Sequence, residues 1–291
     1  MPSQKIHVAL TFDDFFWAPA YAVMRSICLH THRRSDLVFH LCHRPLTDEH
    51  RNDLLAIEAE FGCKLAFYDL TQNAEFLSLV KDAPYHKRMT NIVYARLMLD
   101  RFLPADVERV IYLDCDMMVM APIEKLAELD LQGKSIAAVE EPSALQVANQ
   151  RDARVNRDLI DPADPYFNAG LVVIDRQKWH AAQIPERLNR YIEDGTIERI
   201  YYDQDLLNIV FCNDAYLLDQ RWNLIGPRPA HQALNPFILH YTGERKPWNL
   251  YSGVAFARTY RHVMTNALFY RYWRHRMKHR LLKLWPFGKR S

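Results

Sequence analysis

The stretch RVIYLDCDMMVMAP, residues 109–122, joins an apolar strand pattern to two closely spaced acids. The run 110–113 is typical of a buried strand, and Asp114 and Asp116 follow it with only Cys115 between them. Side chains two positions apart on an extended segment share a face, so both carboxylates are predicted to converge on one point. Two carboxylates that close repel each other unless one is protonated or a cation lies between them. Their oxygens suit Mg²⁺ or Mn²⁺, so the stretch predicts a metal site, with a pair of solvated carboxylates as the structural alternative.

Outward from this stretch, strand-like and helix-like patterns alternate along the chain. Strands are predicted over 6–12, 37–43, 64–70, 109–116, 135–141 and 169–175, with extended segments over 215–223 and 237–243. Helices are predicted over 19–32, 47–62, 91–103 and 203–211, the second with Thr47 as N-cap and Gly62 at its end. This alternation indicates an α/β fold with a largely parallel sheet. Asp13, Asp14, Asp114, Asp116 and Glu141 lie at the carboxyl ends of predicted strands, at the sheet edge where such folds bind ligands.

Composition excludes several classes of protein. The chain has 291 residues, 49% of them apolar and 25% charged, which is typical of a globular chain of one large or two small domains. Its five cysteines are scattered without a CxxC pair, so neither a zinc site nor a disulfide framework is predicted. The N-terminus lacks a signal-peptide layout, and no apolar run reaches the roughly 18 residues of a membrane span. These features predict a cytoplasmic protein with reduced thiols.

Charge is unevenly distributed along the chain. Residues 1–244 carry a net charge of −10, whereas residues 245–291 carry 12 basic residues and no acidic one. Over 267–291 an apolar stripe lies among arginines and lysines, and it consists of Phe269, Tyr272, Trp273, Met277, Leu281, Leu284 and Trp285. This is the pattern of a basic amphipathic helix on an anionic membrane surface. A helix packed on the body with a solvated basic face is the alternative, and the acidic body argues against a nucleic-acid partner.

Four further segments accompany VIYLDCDMMV in a characteristic order. They are ALTFDD, YARLMLDRFLP, YFNAGLVVID, and YYDQDLLN followed by LHYTGERKPW. In this order and spacing the chain resembles the retaining glycosyltransferases of family 8, in particular bacterial enzymes that transfer galactose or glucose to lipopolysaccharide or lipooligosaccharide. The resemblance covers residues 5–250. It implies a GT-A-like nucleotide-sugar-binding fold over residues 1–250, with a mixed, mostly parallel sheet flanked by helices. The basic amphipathic pattern of the tail predicts that residues 251–291 form a separate membrane-association segment.

The resemblance implies a metal and diphosphate site. Asp114, Asp116 and His240 would bind Mn²⁺, or Mg²⁺, that bridges the diphosphate of a UDP-sugar. The imidazole tilts the choice towards Mn²⁺. Gly243 would let the backbone approach the phosphates, and Lys246 would contact them as a point charge.

The resemblance also implies a nucleoside site. Asp13 would accept from the uracil N–H, and Phe16 would stack on the base. Phe15 stands where family members commonly carry asparagine, which removes one polar contact with the nucleotide.

For the transferred sugar, the resemblance implies five residues. Arg96 would reach the sugar or its phosphate, Asn168 would bind sugar hydroxyls, and Glu141 would contact the sugar or the acceptor. Gln204 and Asp203 would lie beside the anomeric carbon. An amide is a poor nucleophile, so substitution on the front face of the sugar is favoured over a covalent intermediate.

The function implied is transfer of a hexose, galactose or glucose, from a UDP-sugar to a lipopolysaccharide-type or other glycan acceptor, forming an α-linkage. The enzyme would attach peripherally to the inner face of the cytoplasmic membrane. Haloacid-dehalogenase-type phosphatases also place DxD after a strand, but near the N-terminus and with Thr or Val where Met118 stands here. A non-catalytic sugar-binding relative is the third alternative.

Overall fold

The computed structural model describes residues 4–84, 90–141, 158–161, 163–200 and 202–284. The strands are Ile6–Phe12 (β1), Leu37–His43 (β2), Lys64–Asp69 (β3), Arg109–Leu113 (β4), Met117–Val119 (β5), Ile136–Glu140 (β6), Phe167–Asp175 (β7), Ala215–Leu217 (β8), Leu224–Ile225 (β9) and Ile238–His240 (β10). The α-helices are Trp17–His30 (α1), Asp48–Phe61 (α2), Ala74–Val80 (α3), Leu99–Phe102 (α4), Glu124–Ala127 (α5), Arg176–Ala181 (α6), Ile184–Glu193 (α7), Tyr202–Phe211 (α8), Ala257–Met264 (α9) and Asn266–Leu284 (α10). Short 3₁₀ helices include Asp14–Phe16, Asn91–Met98 and Gln220–Asn223.

Two sheets organise the molecule. Seven strands form the large sheet in the order β3-β2-β1-β4-β7-β6-β8, and three form a small sheet in the order β5-β10-β9. In the large sheet β7 runs antiparallel to both of its neighbours, while the other described pairs are parallel. The mixed, mostly parallel sheet is therefore confirmed. The reversal at β7 had no signal in the sequence, because an apolar run does not encode its direction.

Both faces of the central strands of the large sheet are buried, whereas the edge strands β3 and β8 are partly exposed. Val8 and Leu10 of β1 face one hydrophobic core, which includes α1, and the intervening Ala9 faces a second core, which includes α8. Alternate residues of a strand point to opposite faces, so a strand covered on both sides is apolar throughout. The sheet is thus the central layer between two layers of helices.

The predicted elements are largely confirmed, with three differences. Two of them are that the predicted strand 109–116 ends at Leu113 and that the predicted extended segment 215–223 ends in the 3₁₀ helix Gln220–Asn223. α2 begins after Thr47, whose hydroxyl accepts from His50 N–H at 3.3 Å, and ends at Gly62 with φ +70°. The segment predicted as one helix over 91–103 is instead a 3₁₀ helix followed by the short α4. Apolar residues three and four apart fit either helix type, so the pattern alone could not separate them.

The two C-terminal helices pack on the body. Leu268, Phe269 and Tyr272 of α10 are buried in the same core as β1 and α1. Farther along the helix, Leu281 and Leu282 are each 61% exposed, and Trp285 lies outside the described residues. The apolar stripe is therefore divided between the core and the surface. Across the residues that the structure describes, no helix combines the length and hydrophobicity required to cross a bilayer.

Candidate active site

Three side chains of ligand type meet at the carboxyl edge of the large sheet. Asp114 and Asp116 lie in the turn between β4 and β5, and His240 ends β10. β10 pairs antiparallel with β5, and His240 lies opposite Met117, which brings the imidazole beside the aspartates. His240 Nε2 lies 3.1 Å from an oxygen of Asp116 and 3.8 Å from an oxygen of Asp114. We refer to these three residues as the Asp–His cluster.

The two aspartates converge for a reason other than strand alternation. β4 ends at Leu113, and the three residues that follow form a turn. The Asp114 N–H donates to a carbonyl of β7 at 2.8 Å, and the Asp116 carbonyl accepts from Tyr241 N–H at 2.9 Å. Cys115 points away into the hydrophobic core. The turn is thus held by both sheets, and it directs the two carboxylates towards His240.

The space around the Asp–His cluster fits a divalent cation. Ligand atoms of all three residues lie within 4.8 Å of one another. Ligands at about 2.1 Å from an ion lie about 3 to 4.2 Å apart, so small movements bring all three onto one ion. A Cβ at Gly170 would lie 2.4 Å from His240 Cε1 and 2.9 Å from Asp114 Oδ2. Glycine at this position keeps the space open. Sequence reasoning did not single it out, although it follows Asn168 in FNAG.

Lys246 lies at the edge of the Asp–His cluster. Its ammonium donates to Asp116 Oδ2 at 2.6 Å and to the Tyr241 carbonyl at 2.5 Å. Burial opposes ionisation of Asp116, but His240 and Lys246 lower its pKa well below the usual value. Asp116 is therefore an anion at neutral pH. Gly243, between His240 and Lys246 in sequence, has φ +71°, a conformation that favours glycine.

Arg96 connects the Asp–His cluster to α8. Its guanidinium is buried and pairs with Asp114 at 2.9 Å and with Asp203 at 2.7 Å, and it lies over the Tyr112 ring at 4.5 Å. Burial opposes its charge, but the two carboxylates raise the pKa of Arg96 above its usual value. Burial raises the pKa of Asp203, although Arg96 opposes that shift. Asp114 also accepts from the Tyr112 hydroxyl at 2.7 Å.

The remaining predicted sugar-site residues form one hydrogen-bonded group. Asn168 Nδ2 donates to Glu141 Oε2 at 2.8 Å and to Gln204 Oε1 at 3.2 Å. Gln204 Nε2 donates to the Tyr166 hydroxyl at 3.1 Å, and that hydroxyl donates to Asp205 at 2.6 Å. Burial raises the pKa of Glu141. We refer to Glu141, Asn168 and Gln204, together with Asn223, as the amide network.

Asn223 joins the amide network to the Asp–His cluster and was missed by sequence reasoning. It is buried at the end of a 3₁₀ helix and lies 3.0 Å from His240 Nδ1 through its oxygen. Its Nδ2 donates to Asn168 Oδ1 at 2.9 Å. The segment 215–223 was predicted as extended, and nothing local to it marks a buried asparagine as functional.

The predicted nucleoside residues lie just beyond β1. Asp13 caps the 3₁₀ helix by accepting from Phe15 N–H at 3.0 Å, and it accepts from the Thr90 hydroxyl at 3.0 Å. Phe16 is half-buried and meets Trp248 edge-on, with ring centroids 6.0 Å apart. Phe15 is 37% exposed and contacts the rings of Tyr272 and His279 on α10.

Comparison with known proteins identifies the class to which this fold and site belong. The family model "Glycosyl transferase family 8" matches residues 7–251, so the chain belongs to that family. A solved structure of the galactosyltransferase LgtC, in complex with donor and acceptor sugar analogs, superposes with a TM-score of 0.75 at 21% identity. It covers 89% of this chain and 95% of that one. The fold is therefore GT-A, as the resemblance implied.

Two curated relatives show the range of activities around this chain. The lipopolysaccharide 1,3-galactosyltransferase of Salmonella typhimurium is 24% identical over 91% of this chain and 79% of its own length. The probable galacturonosyltransferase-like 4 of Arabidopsis thaliana is 27% identical over 84% of this chain and 74% of its own. The chain is thus a glycosyltransferase that resembles bacterial lipopolysaccharide enzymes. The family match gives no support to the phosphatase alternative.

Proposed function

We propose that this protein transfers galactose or glucose from a UDP-sugar to a lipopolysaccharide-type or other glycan acceptor, with retention, to form an α-linkage. The observation that carries the proposal is the Asp–His cluster, which lies beside the amide network in a family 8 chain. Two carboxylates and an imidazole suit Mn²⁺, with Mg²⁺ as the second choice. A cation bound there would neutralise the diphosphate as it departs.

Lys246 and the Gly243 backbone add to the stabilisation of the departing diphosphate. The ammonium is already positioned at Asp116, so it supplies positive charge at the point where negative charge develops. Gly243 lies three residues after His240, and its positive φ allows a turn at the phosphates. Arg96 orients Asp114 by pairing with it. We infer that its guanidinium also reaches the sugar or its phosphate.

Front-face substitution fits the groups around the anomeric carbon. Gln204 is an amide, and its oxygen accepts from Asn168 and from the Ala169 N–H. Asp203 is 4% exposed and held by Arg96, so its carboxylate is poorly placed to attack a sugar. The acceptor hydroxyl therefore attacks the face from which the phosphate leaves, and its proton passes to the leaving phosphate. A covalent sugar trapped on Asp203 or Glu141 would overturn this proposal.

A neutral hexose fits the amide network better than a uronic acid. Glu141 places a carboxylate in the network, and Arg96 is already paired with Asp114 and Asp203. A sugar carboxylate would therefore meet negative charge without an unpaired cation from these residues. Hydroxyl groups, in contrast, can exchange hydrogen bonds with Asn168 and Glu141.

UDP release tests the proposed activity. The assay compares UDP-galactose, UDP-glucose, UDP-N-acetylglucosamine and UDP-galacturonate, each with Mn²⁺ and with chelator. We expect UDP release from a neutral hexose donor that chelator abolishes, and loss of that activity in Asp116→Asn. Near-normal turnover by Asp116→Asn would contradict the metal assignment. Release of inorganic phosphate without UDP would revive the phosphatase alternative.

We further propose that α10 attaches the enzyme to the inner face of the cytoplasmic membrane. Its surface half carries Leu281 and Leu282, and a shallow groove on the same helix is lined by Trp273, Arg274, Met277 and Lys278 as well. Apolar side chains flanked by cations suit anionic lipid headgroups. This position would bring a lipid-linked acceptor close to the enzyme.

Vesicle binding tests the membrane proposal. We expect the wild type to sediment with phosphatidylglycerol-containing vesicles but not with pure phosphatidylcholine, and Leu281→Glu/Leu282→Glu to lose that binding. Leu234→Glu, at a residue 52% exposed on another element, is the matched control and should bind normally. Equal binding by the double variant and the wild type would refute the role of α10.

A further inference from the structure

Asn223 contacts the histidine of the Asp–His cluster on the side away from the aspartates. It is 3% exposed and ends the 3₁₀ helix that leads into β9. Since β9 pairs with β10, the backbone holds Asn223 beside His240. Its amide bridges 3.0 Å to His240 Nδ1 and 2.9 Å to Asn168 Oδ1.

Asn168, Asn223 and His240 form a series of hydrogen bonds, and the Gly170 N–H at the start of the series determines which group donates in each bond. The Gly170 backbone N–H, which can only donate, lies 2.9 Å from Asn168 Oδ1 and identifies that atom as the oxygen. Asn168 Nδ2 in turn donates to Glu141 at 2.8 Å. Asn223 must therefore present its NH₂ group to Asn168 and its oxygen to His240. An oxygen at that position can only accept, so Nδ1 of His240 carries the proton.

We propose that Asn223 is a positioning residue that keeps the proton of His240 on Nδ1 and leaves the Nε2 lone pair facing Asp114 and Asp116. The inference rests on the proposed function, because it assumes that a divalent cation binds the Asp–His cluster. A ring without this acceptor can carry its proton on Nε2 and donate it to Asp116, which blocks the ligand atom. Groups that orient metal-bound histidines in this way commonly change metal affinity by about 10- to 100-fold.

Mn²⁺ affinity of three purified full-length proteins separates the acceptor role of Asn223 from its other contacts. Electron paramagnetic resonance of free Mn²⁺ measures binding without nucleotide, and thermal melting confirms folding. We expect Asn223→Leu to bind Mn²⁺ about 10- to 100-fold more weakly than the wild type, because it removes the acceptor. Asn223→Asp keeps the acceptor and loses the donor to Asn168, so it should bind at least as tightly as the wild type. If Asn223→Leu does not fold, Asn223→Ala takes its place with the same expectation.

Nuclear magnetic resonance detects the proton on His240 Nδ1 directly. This signal would not change if Asn223 only stabilised the fold. In ¹⁵N-histidine protein loaded with Mg²⁺, a slowly exchanging Nδ1–H signal should be present in the wild type, absent in His240→Asn and lost or fast-exchanging in Asn223→Leu. Wild-type affinity in Asn223→Leu, or a loss in Asn223→Asp as large as that in Asn223→Leu, would overturn the inference while the metal site stands. Absence of Mn²⁺ binding by the wild type would overturn the metal site and the inference together.

Discussion

At the scale of single residues, hydrogen-bond partners determine which oxygen atoms of the site face the proposed metal and sugar positions. Asp114 uses one oxygen for Tyr112 and Arg96 and turns the other towards His240. Gln204 shows its oxygen to Asn168 because its amide nitrogen donates to Tyr166. Buried donors and acceptors are costly to leave unpaired, so each orientation is enforced by the partner behind it.

Gly170→Ala should disable the Asp–His cluster. A methyl group there would lie 2.4 Å from His240 Cε1 and 2.9 Å from Asp114 Oδ2, so these two side chains must shift from their positions in the cluster. We expect Mn²⁺ affinity and UDP release to fall at least about 10-fold with the fold retained. Gly253→Ala, where the added Cβ meets nothing within 4 Å, is the control. Unchanged Mn²⁺ affinity in Gly170→Ala would show that the ring does not need this space.

Tyr166→Phe should lower kcat more than it changes KM. The hydroxyl fixes the orientation of Gln204 by accepting from its Nε2 at 3.1 Å. Loss of one such hydrogen bond is worth about 1 kcal/mol, or roughly a fivefold effect on kcat if the bond matters mainly in the transition state. Steady-state kinetics with saturating Mn²⁺ measures the effects of Tyr166→Phe on kcat and on KM separately. A rise in KM at constant kcat would place Gln204 in ground-state binding instead.

At the scale of elements, local patterns predicted which segments form strands but not how they meet. The β1 and β2 bounds match the predicted 6–12 and 37–43, because period and composition are local properties. The turn after β4, the antiparallel β7 and the β5–β10 pairing arise from contacts between distant segments. The sequence and its family resemblance were sufficient to predict Asp114, Asp116 and His240 as metal ligands. Tertiary contacts were needed to identify Asn223 and Gly170, because no local pattern marks either residue.

Two truncations should separate the two halves of α10. A chain ending at residue 265 loses Leu268, Phe269 and Tyr272 from the core, and each large buried side chain is worth about 2–5 kcal/mol. It should unfold or melt far below the wild type. A chain ending at residue 280 keeps these residues, so it should retain UDP release and lose vesicle binding. Full stability in the chain ending at 265 would contradict the packing of α10.

At the scale of the whole molecule, buried neutral histidines limit stability in acid. His40 is 1% exposed and hydrogen-bonds through one ring nitrogen to His7 and through the other to Tyr68, each at 2.9 Å. Burial lowers the pKa of His40 to about 4 and also lowers that of His7. As the pH falls, the two histidines become protonated near pH 6.5 in the unfolded chain but only at lower pH in the folded protein. The folded state is therefore favoured above that pH and loses stability as the pH falls towards 4.

Urea unfolding at pH 7 and at pH 4.5 measures this loss. His40 accounts for at most about 3 kcal/mol across its full titration. His40→Gln, which retains a donor and an acceptor, should be less stable at pH 7 but less sensitive to acid. Parallel pH profiles for the wild type and the variant would exclude His40 as a source of acid sensitivity.

We propose that Asp114, Asp116 and His240 bind one cation together with the diphosphate of a nucleotide sugar. Anomalous diffraction at the manganese edge, from crystals soaked with Mn²⁺ and UDP, tests it most directly. We expect one strong peak bonded to both aspartates, to His240 Nε2 and to phosphate oxygens of UDP. An empty cluster beside bound UDP, or a manganese peak bonded to other residues, would contradict it.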